Sequence, residues 1–282
     1  MNQSKSYPKV LSIAGSDSSG GAGIQADLKT FSALGVYGAT AITAITAQNT
    51  QGVNSQFALE PQMVYDQIAA VMDDIEPSVV KIGMLSNTAI VEAVAKALHD
   101  YRPSFIILDP VIVSSTGHRL LSIEAQETIK EKLIPIADLL TPNIPEMKAL
   151  TDSSLSSLEE KKEAAQQLFN LGAKAILLKG GHEEGEVKTD VLFVSQQTTD
   201  NGQQTLSMFT SETVVTKNTH GTGCTLSSAI AAFIARGLSL EDAISEGKNY
   251  VTEAIRAGAD INIGKGIGPV NHFFNPQKMI VL

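Results

Sequence analysis

Short apolar runs alternate with helically spaced apolar positions along most of this chain. Val10-Leu11-Ser12-Ile13-Ala14 reads as a buried strand ending at Gly15, and Ile24, Leu28, Phe31 and Leu34 then mark one helix face that stops at Gly35. Residues 39–47 form a second strand-like run, rich in Thr and Ile. Pro61 opens a helix carrying Val64, Ile68, Val71 and Met72. Residues 79–84 read as a strand, and Asn87 caps the helix of Ile90, Val91, Val94 and Leu98. Further strands are predicted over 105–111, 139–141 and 175–179. This βαβα rhythm predicts an α/β fold: a mostly parallel central sheet with helices on both faces.

Two stretches break the rhythm. Residues 51–59 suit a strand that leaves the main sheet. Residues 190–215 suit a small antiparallel element of two or three strands around an Asn201-Gly202 turn. No segment has the Pro/Gly/Ser character of an interdomain linker; 153–157 is serine-rich but precedes a helical pattern. The expectation is one domain over residues 1–282, with its core at about 9–275.

Composition narrows the function classes. A net charge of −9 without any basic run argues against a nucleic-acid surface. No apolar stretch approaches the roughly 20 residues of a membrane helix, and the N-terminal residues lead into no apolar leader segment. The single cysteine excludes an intrachain disulfide and suits a reducing compartment, so the cytoplasm is expected. The five histidines show no metal-site spacing, and neither His182 nor His220 shows a carboxylate-histidine-nucleophile pattern.

The most informative stretch is Asn218-Thr219-His220-Gly221-Thr222-Gly223-Cys224-Thr225, which runs into the helical spacing of Leu226, Ala229, Ile230, Phe233 and Ile234. A helix mouth carries unpaired N–H groups and the positive end of the macrodipole, and glycines there let an anion reach the backbone. The only cysteine occupies this mouth, where a thiolate is favoured. The alternative is a glycine loop that merely caps a core helix.

In open α/β sheets, ligands bind beyond the carboxyl ends of the strands. The residues there are Gly15-Ser16-Asp17, Gln48-Asn49, Met84, Asp109-Pro110, Asn143 through Glu146, and Lys179-Gly180-Gly181. Two familiar phosphate motifs fail. Gly15 to Gly20 has Walker A spacing, but Gly21-Ala22 replaces the required Lys-Ser/Thr. Gly21-Ala22-Gly23-Ile24-Gln25-Ala26 matches G-x-G-x-x-A, yet no acid lies between Asp27 and Glu60 to hold a ribose. Gly20 through Gly23 instead suits close backbone approach to a small flat substrate.

Several of these motifs resemble one family. Ser16-Asp17 with Ser19-Gly20-Gly21-Ala22-Gly23-Ile24-Gln25-Ala26-Asp27, Thr46-Ala47-Gln48-Asn49-Thr50, Lys81-Ile82-Gly83-Met84-Leu85 and Leu108-Asp109-Pro110-Val111 look like the hydroxymethylpyrimidine/phosphomethylpyrimidine kinases of thiamine biosynthesis. So do Thr141-Pro142-Asn143-Ile144-Pro145-Glu146, Leu178-Lys179-Gly180-Gly181-His182, the cysteine loop and Gly264-Lys265-Gly266-Ile267-Gly268-Pro269. The resemblance implies a ribokinase-like fold and transfer of the ATP γ-phosphoryl group to 4-amino-5-hydroxymethyl-2-methylpyrimidine, then to its monophosphate. A pyridoxal or pyridoxine kinase and a non-catalytic pyrimidine sensor are the alternatives.

The resemblance also implies residue roles. Gln48 reads the aminopyrimidine edge, with Gly15, Ala22, Met84 and Val111 around the ring; Met84 and Val111 also suit ordinary core positions. Asp27 contacts the substrate side, orients the loop or is simply a carboxylate on the helix surface. Asp109 and Glu146 serve magnesium, Glu146 through water, while Asn143 binds ATP or caps a helix with an acidic first turn. Lys179 neutralises nucleotide phosphates, its alternative being a solvated strand-end lysine, and Thr219 and Thr222 assist it. Gly221 and Gly223 present the mouth to the moving phosphoryl group. Cys224 stands where many superfamily relatives carry an aspartate base, so a thiolate of pKa about 7 becomes the candidate proton acceptor. A homodimer is expected on the same basis.

Overall fold

The computed structural model describes residues 5–112, 121–181, 185–195 and 204–282. Nine strands form one sheet: β1 (Lys9–Asp17), β2 (Tyr37–Asn49), β3 (Gly52–Ala58), β4 (Val79–Ile82), β5 (Phe105–Leu108), β6 (Leu139–Leu140), β7 (Ala175–Leu178), β8 (Val187–Ser195) and β9 (Gln204–Glu212). Their order is β3-β2-β1-β4-β5-β6-β7-β8-β9. The strands from β2 through β7 pair in parallel, while β3, β8 and β9 add antiparallel edges. The α/β class, the parallel centre and the antiparallel element all follow the expectation.

Period-2 alternation explains the two helix layers. Leu11 and Ile13, Val80 and Ile82, Ile106 and Leu108, and Ile176 and Leu178 belong to one apolar core. Their neighbours Val10, Val79, Ile107 and Leu177 belong to the other. The first core is closed by α2 (Pro61–Asp74), α3 (Thr88–Tyr101), α4 (Ile123–Lys132), α5 (Ile144–Thr151) and α6 (Leu158–Asn170). The second is closed by α1 (Gly23–Ala33), α7 (Thr222–Ala235) and α8 (Leu240–Gly258). Asn87 caps α3 by accepting from the Ile90 N–H, and Pro61 stands at the start of α2.

Three details differ from the sequence expectation. Strand β3 does not leave the sheet; residues 52–58 stay bonded to β2, from Ala44↔Ala58 to Asn49↔Gly52. A tight turn at Thr50-Gln51 keeps the chain beside its partner. Strand β1 continues past Gly15 to Asp17 through a bulge, its pairing slipping from Ala14↔Ile42 to Ser16↔Ile45. Strand β8 begins at Val187, before residue 190, and the Asn201-Gly202 turn lies outside the described residues.

On the α1/α7 side, the apolar alternation is interrupted. Ser12 and Lys81 pair across β1 and β4, two positions beyond Val10 and Val79, and both are fully buried. Asp27 of α1 and Ser228 of α7 meet them there.

Candidate active site

The carboxyl ends of the parallel strands open into a cavity of about 630 Å³. The glycine loop before α1, the ends of β1 and β2, the segments following β4 to β7 and the mouth of α7 all line it. The α7 mouth is shaped by Gly221, which caps the helix with φ of +81°. A Cβ there would lie 1.8 Å from the Gly21 carbonyl, so the two glycine segments touch only because neither has a side chain at the contact. The motif at 264–269 straps this arrangement together. The Lys265 and Gly266 N–H groups donate to Thr50 Oγ1, each at 3.1 Å, and the His220 N–H donates to the Gly268 carbonyl at 3.0 Å.

A charged cluster stands at one side. Lys179 Nζ lies 2.8 Å from Asp109 Oδ1 and 3.8 Å from Glu146 Oε2. A Cβ built on Gly223 would be 3.4 Å from the same ammonium, so Lys179 also faces the helix mouth. Ser227 of α7 and Thr141 donate to Asp109 at 2.9 and 3.2 Å. Asn143 caps α5 in a reciprocal box: its side chain accepts from the Glu146 N–H, and its own N–H donates to Glu146 Oε2, both at 2.8 Å.

Charge states follow from this packing. Burial opposes ionisation of Asp109, but Lys179 and Lys81 outweigh it and hold the carboxyl below its ordinary range. Burial pushes Glu146 up to about 7; Lys179 pulls it back, while Asp109 pushes in the same direction as burial. Burial works against the charge on Lys179, yet Asp109 and Glu146 keep its pKa above the usual lysine value.

Most of the sequence-derived candidates meet around this one space. Gly15, Ala22, Gln48, Met84 and Val111 line it, as do Asp109, Asn143, Glu146 and Lys179. So do Thr219, Gly221, Thr222, Gly223 and Cys224. Lys179 is buried, so its reading as a solvated strand-end lysine fails. Asp27 is the exception. It is fully buried and does not line the cavity, so it is neither a helix-surface carboxylate nor a substrate contact. It accepts from Lys81 at 2.9 and 3.0 Å, from Ser12 at 2.5 Å and from Ser228 at 2.6 Å.

Cys224 also departs from expectation. Burial pushes its thiol up to about 11; Lys81 and the Gly23 N–H favour the thiolate but do not overcome burial, and Asp27 and Asp109 oppose it. At neutral pH the group is a thiol, so the helix mouth does not by itself make a base of it.

Sequence reading missed two features. Lys81 lines the cavity while paired with Asp27 beneath it. His220 has a carboxylate partner after all: its Nε2 lies 2.8 Å from Asp17 Oδ2. The only available signal was that Asp17 follows a strand and His220 sits in the glycine mouth; 203 positions separate them. His182 lies outside the described residues.

Comparison with known proteins agrees with this picture. The family model described as phosphomethylpyrimidine kinase matches residues 17–271. The hydroxymethylpyrimidine/phosphomethylpyrimidine kinase of Escherichia coli is 46% identical over 94% of this chain and 97% of its own length. Other matches are bifunctional thiamine-biosynthesis proteins, of which the chain spans 55% in Geobacter sulfurreducens and 52% in Arabidopsis thaliana. Among solved structures, a phosphomethylpyrimidine kinase from Clostridium difficile is 43% identical, covers 88% of this chain and 99% of that one, and superposes with a TM-score of 0.75. A Bacillus subtilis pyridoxal kinase in an ADP complex is 35% identical over 95% of this chain and 98% of that one, with a TM-score of 0.84.

Proposed function

The chain belongs to the phosphomethylpyrimidine kinase family, and we propose that its strand-end cavity is where the γ-phosphoryl group of ATP passes to the pyrimidine substrate. The activity is phosphorylation of 4-amino-5-hydroxymethyl-2-methylpyrimidine and then of its monophosphate, in thiamine biosynthesis. One observation carries the placement: the same cavity joins Gln48, Met84 and Val111 to the α7 mouth and to the Lys179 cluster. An aromatic alcohol held by the first group faces a triphosphate held by the second.

Gln48 offers donor and acceptor to the aminopyrimidine edge, and Gly15, Ala22, Met84 and Val111 pack around the ring. A side chain at Gly15 would strike Met84, since its Cβ would lie 2.4 Å from Met84 Cε. Lys179, Asn143, Thr219 and Thr222 hold nucleotide phosphates. The backbone N–H groups at Gly221 to Cys224 meet the charge that develops on the transferring phosphoryl group; a preorganised donor contributes on the order of 3–4 kcal/mol. The donor chemistry beside Lys179 suits magnesium: two carboxylates flank the lysine at 2.8 and 3.8 Å, and hard cations take oxygen ligands. Among the described residues no group of three or more ligating side chains forms a cage, so Asp109 and Glu146 would supply part of a shell completed by water and phosphate oxygens. Magnesium bound there would neutralise charge on the phosphates.

The protonated Cys224 does not act as a base before transfer. Phosphoryl transfer passes through a loose transition state in which positioning and electrostatics dominate, so the alcohol proton leaves late, to an oxygen of the transferred phosphoryl group or to water. In the second step the acceptor is already an anion, with a second pKa of about 6.

The continuous sheet supports one folding unit, and exposed Ile45 and Phe57 on the β2–β3 edge support a homodimer. No described helix is long and apolar enough to cross a membrane; a cytoplasmic location suits the soluble substrates. The test is ADP release with magnesium-ATP and either the pyrimidine alcohol or its monophosphate, with pyridoxal as competitor. Turnover of both pyrimidines is expected. Binding without ADP release would favour a sensor, and preferential turnover of pyridoxal would favour a pyridoxal kinase.

A further inference from the structure

The groups around Gln48 decide which end of its amide faces where. Asp17 accepts from the Ser19 N–H at 2.8 Å, the Ser19 hydroxyl at 2.9 Å and the Ala22 N–H at 2.8 Å. Burial disfavours its charge, but His220, Ser19 and Ala22 overcome that and hold the carboxyl at about 2, so it is an acceptor only. His220 Nε2, 2.8 Å from Asp17 Oδ2, therefore carries a proton whatever the charge of the ring.

The Gln48 amide touches that same nitrogen at 3.4 Å and Thr46 Oγ1 at 3.1 Å. Thr46 has one proton, and the Ser16 carbonyl lies 2.9 Å from its hydroxyl to receive it. With its nitrogen toward His220, the amide would set two donors together and ask Thr46 for a second proton. The two ends of a carboxamide have nearly the same shape, so its partners determine which is oxygen. Turned by half a rotation, the amide donates to Thr46 and sets its oxygen toward the His220 N–H, whose one proton goes chiefly to Asp17, so that no two donors face each other.

We propose that Asp17 and His220 are positioning residues that set the Gln48 amide, and through it the ring edge that the cavity accepts. In this orientation Gln48 keeps one N–H and one lone pair for a ligand. That pair complements a ring nitrogen beside an exocyclic amine. The inference rests on the reading of Gln48 as the pyrimidine contact.

The test is a double-mutant cycle. Affinity for 4-amino-5-hydroxymethyl-2-methylpyrimidine is measured by calorimetry for the intact protein, Gln48→Ala, His220→Ala and the double variant. Each single change should weaken binding about tenfold, and the double variant should bind no more weakly than Gln48→Ala alone. KM for ATP should stay within about twofold in His220→Ala, which a general loss of structure would not allow. Asp17→Asn provides an independent route to the same loosening, and His220→Gln, which retains an N–H donor, should recover most of the affinity. Multiplying losses, about a hundredfold in the double variant, would overturn the proposal. So would an ATP KM that rises in step with that of the pyrimidine. Unchanged affinity in Gln48→Ala would remove the underlying reading of Gln48 itself, an outcome distinct from either.

Discussion

Two buried lysine–aspartate pairs lie on the cavity side of this sheet, and they are built for different purposes. Lys81–Asp27 closes at 2.9 Å with both side chains wholly inaccessible. Lys179–Asp109 closes at 2.8 Å; both lysines border the cavity, but Lys179 also has Glu146 3.8 Å away. In the first pair one ammonium meets one carboxylate, and Ser12 and Ser228 satisfy the remaining lone pairs of Asp27. In the second, two carboxylates share one ammonium. A balanced pair has little to gain from a ligand. An oversupplied one draws a cation and can release its lysine toward phosphate. The same side-chain chemistry thus supports the fold in one place and remains open to exchange in the other.

The strongest way to break that contrast is Lys81→Met, which leaves the buried Asp27 carboxyl without its cation. It should cost about 3–5 kcal/mol of stability in denaturant unfolding. A double Lys81→Met/Asp27→Leu variant should recover much of the loss, because both charges leave together. A single-variant cost below about 1 kcal/mol, the value of an exposed pair, would show that Lys81–Asp27 is not closed.

Lys179→Met should act on chemistry instead. Turnover with the pyrimidine alcohol should fall roughly 100- to 1000-fold, the scale for removing one preorganised electrostatic contact. Its unfolding midpoint should drop less than that of Lys81→Met, because water in the cavity reaches the exposed side of the cluster. Equal stability losses with retained turnover would erase the distinction.

Glu146 sharpens it through pH. Its carboxyl is held up to about 7 in the folded chain, above the ordinary glutamate value of 4.5. Between those values the folded state keeps a proton that the unfolded state has lost, so stability falls as pH rises through this window. The full cost, on the order of 3 kcal/mol, is present above pH 7 and absent below about 4.5. Glu146→Gln should therefore show a flatter melting profile over that range in the unliganded protein. An identical pH slope would place the carboxylate outside the charged cluster.

The smallest expected effect is that of Asn143→Ala. Loss of the cap on α5 should cost about 1 kcal/mol and loosen the Glu146 arm without touching the Lys81 layer. A thermal melt that does not move would mean that the Glu146 side holds the box alone.

The sequence was most legible where the pattern is local. Alternating apolar runs located the parallel strands, Asn87 and Pro61 marked helix starts, and the strand-end rule collected Gln48, Asp109, Asn143, Glu146 and Lys179 around one cavity. Asp27 misled because α1 presents it at a helical position that gives no sign of a lysine 54 residues away. Strand β3 misled because whether a strand stays paired with its predecessor depends on the turn between them as well as on its own alternation.

By itself, then, the amino-acid order determined which stretches become strands and helices, the parallel architecture and the chemical types gathered at the strand ends. Those properties follow from periodicity, capping and the rule that α/β ligands sit at carboxyl strand ends. Tertiary structure alone decided the ionic partners. It joined Asp17 to His220 across 203 positions and Asp27 to Lys81 across 54, and it half-buried Cys224 at the cavity wall, where desolvation favours the thiol. Pairing and proton affinity depend on distance and desolvation, and neither quantity exists until the sheet has brought distant segments together.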